Sequence, residues 1–414
     1  MKLSEELIWR GFSAQTTISD PSLLDSRSSK KFYWGADPSA DSLTIGNLAA
    51  LMMCACFVRH GYQPYLLVGG ATGQIGDPKE NDERELKPLS EVEHNKTRLK
   101  EQISRIIQAR NVVMLDNLDW FRNISFLEFL REVGKTFSMT QLLDRQFVQN
   151  RIGSGGSGIS YAEFSYTLIQ GYDYLHLFRK YGISLQLCGA DQFGNCASGI
   201  HLIRRLENAE ADVWSTPLVI DPASGKKFGK SEGNAVWLSA TPARLPDGSL
   251  SQNYTPVFDF YQFWLNQPDS AVEYLLKIYT LLDKPQIDEI LKTHASAPEK
   301  RLAQKALARG VTEVVHGVDA AEKTARLTEK LFSKDFNFSK DEISAFSDLL
   351  PTFSLGKVID ILANSSLASS KSEAKKLIKA GAISINGKKI IDEEEMVNSP
   401  SLVKKGKNKF IIVK

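Results

Sequence analysis

Long hydrophobic runs are missing from this sequence. No stretch of about eighteen or more apolar residues occurs, so no membrane span is expected. No secretory leader is expected either, because the opening MKLSEELIWRGFSAQ carries acidic residues and no long apolar core. Cysteine is scarce: Cys54, Cys56, Cys188 and Cys196 match no zinc-type spacing. That predicts free thiols, a reduced cytoplasmic setting and no protein metal site. Internal repeats and low-complexity tracts are absent. An excess of one charge is also absent, since the net charge is +2. The charge is unevenly spread, however. From Lys371 to Lys414 there are eleven lysines against five acidic residues, which is either a solvated surface or the footprint of a nucleic-acid binder.

Residues 31–220 alternate between strand-like and helix-like segments. KFYWGA, YLLVGGAT, NVVMLDN, SLQLCGAD and WSTPLVID read as buried parallel strands. Helical spacing runs over 46–60, 90–110, 125–133, 140–150 and 161–181, and again from Phe193. This order predicts a doubly wound α/β sheet, with ligands beyond the carboxyl ends of its strands. The expected domains are a catalytic one at 1–231 with a helical insertion near 120–160, a helical one at 232–334, a linker at 335–352, and a small α+β unit at 353–414. A hairpin turning at Asn386-Gly387 is expected in the last.

Three groups of residues stand out near the predicted strand ends. In DPSADSLTIGN a helix starts near Gly46, with Thr44 and Asn47 as donors. A helix N-terminus favours phosphate, and the bare Gly46 backbone suits a flat purine; an ordinary capped helix is the alternative. The loop KKFGKS carries Lys226, Lys227 and Lys230, either for phosphates or as a plain surface loop. Neither stretch matches the glycine-lysine phosphate loop or the dinucleotide fingerprint. Third come polar residues in apolar surroundings: Asp77, Asp191, Gln192, and Tyr166, Gln170 and Asp173 on one helix face. Such a face is costly to bury without a polar partner; a solvent-exposed face is the alternative.

Taken in order along the chain, these stretches resemble the bacterial-type tyrosyl-tRNA synthetases. DPSADSLTIGN lies where that family has its HIGH signature and KFGKS where it has KMSKS. GGATGQIGDP, EFSYTLIQGYDY, GADQFGN and KSEGNAVWL are similar in order and spacing. The resemblance spans essentially the whole chain. It implies a Rossmann-like catalytic domain, a helical domain for the anticodon arm, and a ribosomal-protein-S-four-like RNA-binding domain. It implies activation of L-tyrosine with ATP, Mg2+ accompanying the nucleotide, then transfer to tRNA(Tyr).

By position, the resemblance assigns Tyr33 and Asp173 to the phenol, Asp77, Tyr166 and Gln170 to the ammonium, and Gln192 to the carboxylate. It places Trp34, Gly35, Asp37, Ser39, Gly46, Asn47, Gly189, Asp191 and Lys230 around ATP. Thr44, Asn47, Lys227, Lys230 and Arg84 take catalytic roles, and Lys375, Lys376, Lys379, Lys388 and Lys389 contact RNA. A homodimer through the catalytic domain is implied, with Phe126, Phe129, Leu130 and Tyr161 near the interface. Four residues depart from the pattern: Thr44 and Asn47 replace the signature histidines, Trp34 a small residue and Phe193 a tryptophan. The Thr44 change motivates a second reading, an RNA-binding paralogue that has lost adenylation. Activation of another aromatic amino acid is a third.

Overall fold

The structure, a computed structural model, describes residues 1–78, 85–143, 146–153, 156, 158–220, 228, 230–231, 234–333, 338–365, 367–406 and 409–414. Side chains at 141, 146, 147, 230, 231 and 234 fall outside that description. Chain contacts define two compact units, one of residues 1–255 and 268–297, the other of 256–267 and 298–414.

The first unit is built on a five-stranded parallel sheet. Its strands are β1 (Lys31–Ala36), β2 (Gln63–Val68), β3 (Val113–Leu115), β4 (Leu185–Gly189) and β5 (Asp212–Thr216), in the order β3-β2-β1-β4-β5. Residues of β2, β4 and β5 are buried almost without interruption, as expected when helices cover both faces. Strand order reverses between β1 and β4, so a crevice opens where their carboxyl ends part. This is a Rossmann-like arrangement.

Two expectations need correction. The last strand of this sheet stops at Thr216, partway through WSTPLVID, because Pro217 has no N–H for the ladder. The helix expected over 140–150 is two short ones, Met139–Leu143 and Gln146–Ile152. One feature was not foreseen. Residues 14–17 run along the free edge of β5, with Ala14 N–H donating to Ser215 O at 2.9 Å and Thr17 N–H to Val213 O at 3.1 Å. An edge that would otherwise be open is thereby covered.

Helix Ile45–Arg59 is buried along most of its length, which fits its run of small and apolar residues. Helix Tyr161–Tyr181 starts where Ser160 accepts from Glu163 N–H, and it ends at Gly182 with φ 65°. Beside it lies helix Phe193–Glu207. A Cβ on Gly199 would stand 2.6 Å from Tyr174 Cβ, so only glycine permits this approach. Among the described residues no helix is long and apolar enough to cross a membrane.

The contacts divide the chain differently from the domain borders expected at 231 and 334. Helices Asp269–Tyr279 and Lys284–Ser296 belong to the first unit. Arg10 supplies the reason: its guanidinium donates to the carbonyls of Lys277, Thr280 and Leu282 at 2.6, 3.1 and 2.7 Å. Tyr279 adds a bond from its hydroxyl to Ile45 O at 3.1 Å.

In the second unit, helices Val257–Leu265, Leu302–His316 and Val318–Leu331 precede a small α+β portion. Its sheet orders Lys388–Lys389, Ile383–Ile385, Ser401–Lys405, Lys409–Val413 and Thr352–Phe353. The hairpin turns at Asn386 (φ 46°) and Gly387 (φ 83°), the left-handed pair that a tight two-residue turn requires. Within this unit Phe410 packs edge-on against Phe258 and Phe332.

Candidate active site

A cavity of about 1420 Å³ opens at the carboxyl ends of β1 and β4. Its volume exceeds the roughly 300–1,000 Å³ of a typical single-ligand pocket, leaving room for two substrates. Tyr33, Trp34, Gly35, Asp37, Ser39, Thr44, Gly46, Asn47, Asp77, Tyr166, Gln170, Asp173, Gly189, Asp191 and Gln192 all line it. Arg84, Lys226 and Lys227 lie outside the described residues, as does the Lys230 side chain; the Lys230 backbone pairs with Ala235.

At one end the polar groups form a chain. Asp173 is 2% exposed. Its Oδ2 accepts from Asn117 Nδ2 at 3.1 Å and its Oδ1 from Trp120 Nε1 at 2.9 Å. Burial pushes the Asp173 pKa well above the usual carboxylate range, while these two donors pull it back. Nearby, the Tyr33 hydroxyl accepts from Gln186 Nε2 at 2.6 Å. Burial raises the Tyr33 and Tyr166 pKa values well above the ordinary phenol, so both remain donors at neutral pH. A hydroxyl donor and a carboxylate acceptor therefore meet the same cavity wall.

A second cluster lies around Asp37 and Asp77. Asp37 accepts from Tyr166 Oη at 2.7 Å and from Thr72 Oγ1 at 2.6 Å. Asp77 accepts from Gln192 Nε2 at 2.8 Å and Asn195 Nδ2 at 3.2 Å. Tyr166 thus bonds to Asp37, which the resemblance puts among the ATP contacts. Gln170 Oε1 is buried with no hydrogen-bond partner among the described residues. Such an atom is costly unless a ligand donor reaches it. Close packing fixes this corner: a Cβ on Gly69 would lie 2.6 Å from Asp37 Oδ1, and one on Gly73 would lie 2.7 Å from Pro38 Cδ.

The other end is built from the first motif. Thr44 caps helix Ile45–Arg59, and both its N–H and its hydroxyl donate to Asn47 Oδ1 at 3.0 Å. With Oδ1 held by two donors, Asn47 Nδ2 is the group left for a ligand. Gly46 is exposed, and a Cβ there would touch only Thr44 Oγ1, at 3.5 Å. The Asp191 carboxylate folds over Gly189, where a Cβ would lie 2.7 Å from its Oδ1.

Sequence reading gives the lysine loop little apolar anchorage. The structure corrects this at Phe228, which is 6% exposed, donates its N–H to Val219 O at 2.9 Å and packs on the Tyr279 ring at 6.1 Å. Beyond the loop, Ile45 N–H donates to Val236 O at 3.1 Å and Leu238 N–H to Leu43 O at 2.8 Å. Residues after the second motif are thereby bonded to the first.

Thr72, Asn117, Trp120, Gln186 and Asn195 were missed by sequence reading. Asn117 had a signal, since it is the last residue of the predicted strand NVVMLDN. Lys87, paired with Glu91, also lines the cavity. One cluster among the described residues has metal-ligand types close together: Glu6, Cys56 and His60. Arg10 Nε already stands 2.7 Å from Glu6 Oε1, and burial pushes the Cys56 thiol up to about 12. A protonated thiol beside an arginine is a poor cation site.

Comparison with known proteins agrees with this geometry. The family described as tRNA synthetases class I (W and Y) matches residues 26–333, and the tyrosine–tRNA ligase SYY-like C-terminal domain matches 342–414. The chain is 38% identical to a tyrosine–tRNA ligase of Streptococcus thermophilus over 432 aligned positions, covering 100% of both proteins. It is also 38% identical to one of Streptococcus agalactiae, covering 100% of this chain and 99% of that protein. A solved C-terminally truncated mitochondrial tyrosyl-tRNA synthetase of Aspergillus nidulans superposes with a TM-score of 0.69 at 28% identity, over 80% of this chain and 94% of that one. With a reversed parallel sheet, a two-substrate cavity at its switch point and matches along its whole length, the chain belongs to the class I tRNA synthetases of the tryptophan and tyrosine group.

Proposed function

We propose that this enzyme is a tyrosine–tRNA ligase. It joins L-tyrosine to the α-phosphate of ATP, releases pyrophosphate, and passes the tyrosyl group to the 3′ end of tRNA(Tyr). The observation that carries the choice of amino acid is the pairing of Tyr33 and Asp173 on one cavity wall, each held by a buried partner. An apolar ring would offer no partner to the Tyr33 O–H or to the remaining lone pairs of Asp173, which argues against another aromatic amino acid. A protein that only bound RNA would have no use for them.

The first step needs positioning more than acid–base chemistry. The tyrosine carboxylate is already ionised at neutral pH. One of its oxygens attacks the α-phosphorus as the α–β bridging P–O bond breaks, and pyrophosphate carries away the electron pair. Asp77, Tyr166, Gln170 and Asp37 suit the ammonium, and Gln192 reaches toward the carboxylate. Trp34, Gly35, Ser39, Gly46, Gly189 and Asp191 surround the nucleoside. ATP enters as its magnesium complex, and no residue of this chain is assigned to the ion. Thr44, Asn47, Lys227, Lys230 and Arg84 surround the phosphates, where donors that tighten as charge shifts lower the barrier.

The second unit suits RNA. Lys376, Lys388 and Lys389 are exposed, while Lys375 and Lys379 lie 3.0 and 3.1 Å from Glu393. Those two are less available than the sequence implies. A homodimer through the catalytic unit is supported by Phe126, Leu127, Met139 and Tyr161, which are 63%, 71%, 58% and 65% exposed. Phe129 turns inward instead, packing on Phe121 and Tyr172, and Leu130 is half-buried. The setting is taken to be cytoplasmic.

Amino-acid choice is tested by tyrosine- and phenylalanine-dependent ATP–pyrophosphate exchange. Tyr33→Phe and Asp173→Ala should each lower the tyrosine-to-phenylalanine preference by about 5–150-fold, the worth of roughly 1–3 kcal/mol. Unchanged ratios in both would remove the phenol assignment.

For the phosphates, Asn47→Ala should slow single-turnover adenylation by about 10²–10³ with tyrosine affinity kept. Thr44→Ala should cost less, because its hydroxyl is engaged by the cap. Equal losses in the two variants would contradict this division.

Replacing Lys376, Lys388 and Lys389 by alanine should weaken tRNA binding and leave adenylation intact. The slope of log affinity against log salt should flatten by ~0.7–0.9 per lost contact. An identical slope would exclude these lysines from the RNA surface.

Sedimentation velocity at micromolar concentration should find a dimer, converted to monomer by Phe126→Asp with Leu127→Asp. A monomeric unaltered protein would end the dimer proposal.

A further inference from the structure

Helix Leu89–Ile106 sends one polar side chain into the joint between the two phosphate-facing motifs. Gln102 is 8% exposed. Its Oε1 accepts from Leu43 N–H at 2.8 Å. Its Nε2 donates to Ser42 Oγ at 3.1 Å and to Ser239 Oγ at 2.7 Å. Ser239 N–H also donates to Ser42 Oγ, at 3.0 Å. Ser42 and Leu43 precede the helix cap at Thr44, and Ser239 follows the segment that pairs with residues 43–45.

We propose that Gln102 is a positioning residue for adenylation: it sets the spacing between the start of helix Ile45–Arg59 and the segment 236–239 that follows the lysine motif. The proposal rests on the tyrosine–tRNA ligase reading but does not follow from it, since Gln102 is not among the residues lining the cavity.

The chemistry of the joint demands this residue type. One acceptor must face a backbone N–H, and two donors must face two hydroxyls. A glutamine amide supplies all three in one plane. Glutamate has no donors when ionised, lysine has no acceptor, and an apolar side chain leaves three buried polar groups without this partner. Each such group costs free energy that is recovered when the segments part and admit water.

Separation would matter because the two segments carry the donors of the phosphate end. Thr44 follows Leu43 directly, and Asn47 lies in the first helical turn after it. The Lys230 backbone pairs with Ala235, one residue before Val236. A shift of about 1 Å between reacting groups is enough to cost about 10²-fold in rate. The phenol end has its own anchors in Asn117, Trp120 and Gln186, so tyrosine binding should not sense the change.

Full-length Gln102→Met keeps the length and removes all three polar contacts. Hydrogen exchange read by mass spectrometry should show faster exchange in residues 42–47 and 236–239 together. The single-turnover adenylation rate should fall about 10–100-fold, with the tyrosine dissociation constant within about twofold of the parent. Ser239→Ala, which removes one contact, should move the same two peptides and give a smaller loss; it carries the test if Gln102→Met fails to fold. The proposal is overturned if exchange in the two segments is unchanged, if the rate is unchanged, or if rate and tyrosine affinity fall in parallel. Should the unaltered protein show no tyrosine-dependent adenylation, the functional reading fails, and the exchange measurement still decides whether Gln102 ties the two segments.

Discussion

The reversal of strand order between β1 and β4 is the constraint on which the site depends. On either side of it the crossovers run outward in opposite directions, so no connection fills the gap at the strand ends. Chain leaving β1 supplies Asp37 and Ser39, and chain leaving β4 supplies Asp191 and Gln192. Both must turn sharply there, and glycine or short polar residues do so. Gly69 and Gly73 then let the turn after β2 pack against Asp37 and Pro38 after β1, and Gly70 lets it pack against Asp116 after β3, within distances that a Cβ would forbid. Polar groups are thus brought into the crevice by topology first and by side-chain chemistry second.

Charge is divided along that crevice. Asp37, Asp77 and Asp173 all line the cavity, and under the proposed function a substrate ammonium is their counter-charge. Among their partners are neutral donors: Thr72, Tyr166, Asn117, Trp120, Gln192 and Asn195. A neutral donor orients a carboxyl group without supplying a counter-charge. The nucleotide end is built the other way, from a helix N-terminus, exposed glycine and amide donors. An anionic and a cationic group can therefore be bound within one cavity, each at the end that favours it.

How much of this could be read from the sequence depended on the range of the interaction. Strands β1 and β4 are legible because an apolar run ending in glycine is a local signal. The hairpin at Asn386-Gly387 is legible for the same reason, since the turn needs two residues at positive φ. Strand β5 was misplaced because the apolar residues Leu218, Val219 and Ile220 continue past Pro217, and apolarity alone does not mark where a ladder stops. Gln186 and Gln102 were invisible: their partners lie 153 residues away at Tyr33 and 137 away at Ser239. Nothing within a local window separates such a glutamine from a surface one. Unit membership depends on long-range contacts too. Helix Asp269–Tyr279 looks like its helical successors, yet it receives Arg10 at Lys277 O and sends the Tyr279 hydroxyl to Ile45 O within the first unit.

The two residues that replace the signature histidines make sense as a pair. A histidine offers one ring N–H at a fixed reach, and can carry charge. Threonine and asparagine at N-cap and N3 positions instead complete a reciprocal cap, with Asn47 Oδ1 taking both Thr44 donors. The cap engages Oδ1 and leaves Nδ2 for a ligand, and it holds the first turn in place. Preorganisation of this kind replaces a cation by a fixed neutral donor, whose contribution grows as water is excluded. Under the proposed function, more of the charge balance at the leaving pyrophosphate then falls to the lysine motif. Alignment between the two motifs then matters more than the strength of either, and the hydrogen bonds between residues 43–45 and 236–238 provide it.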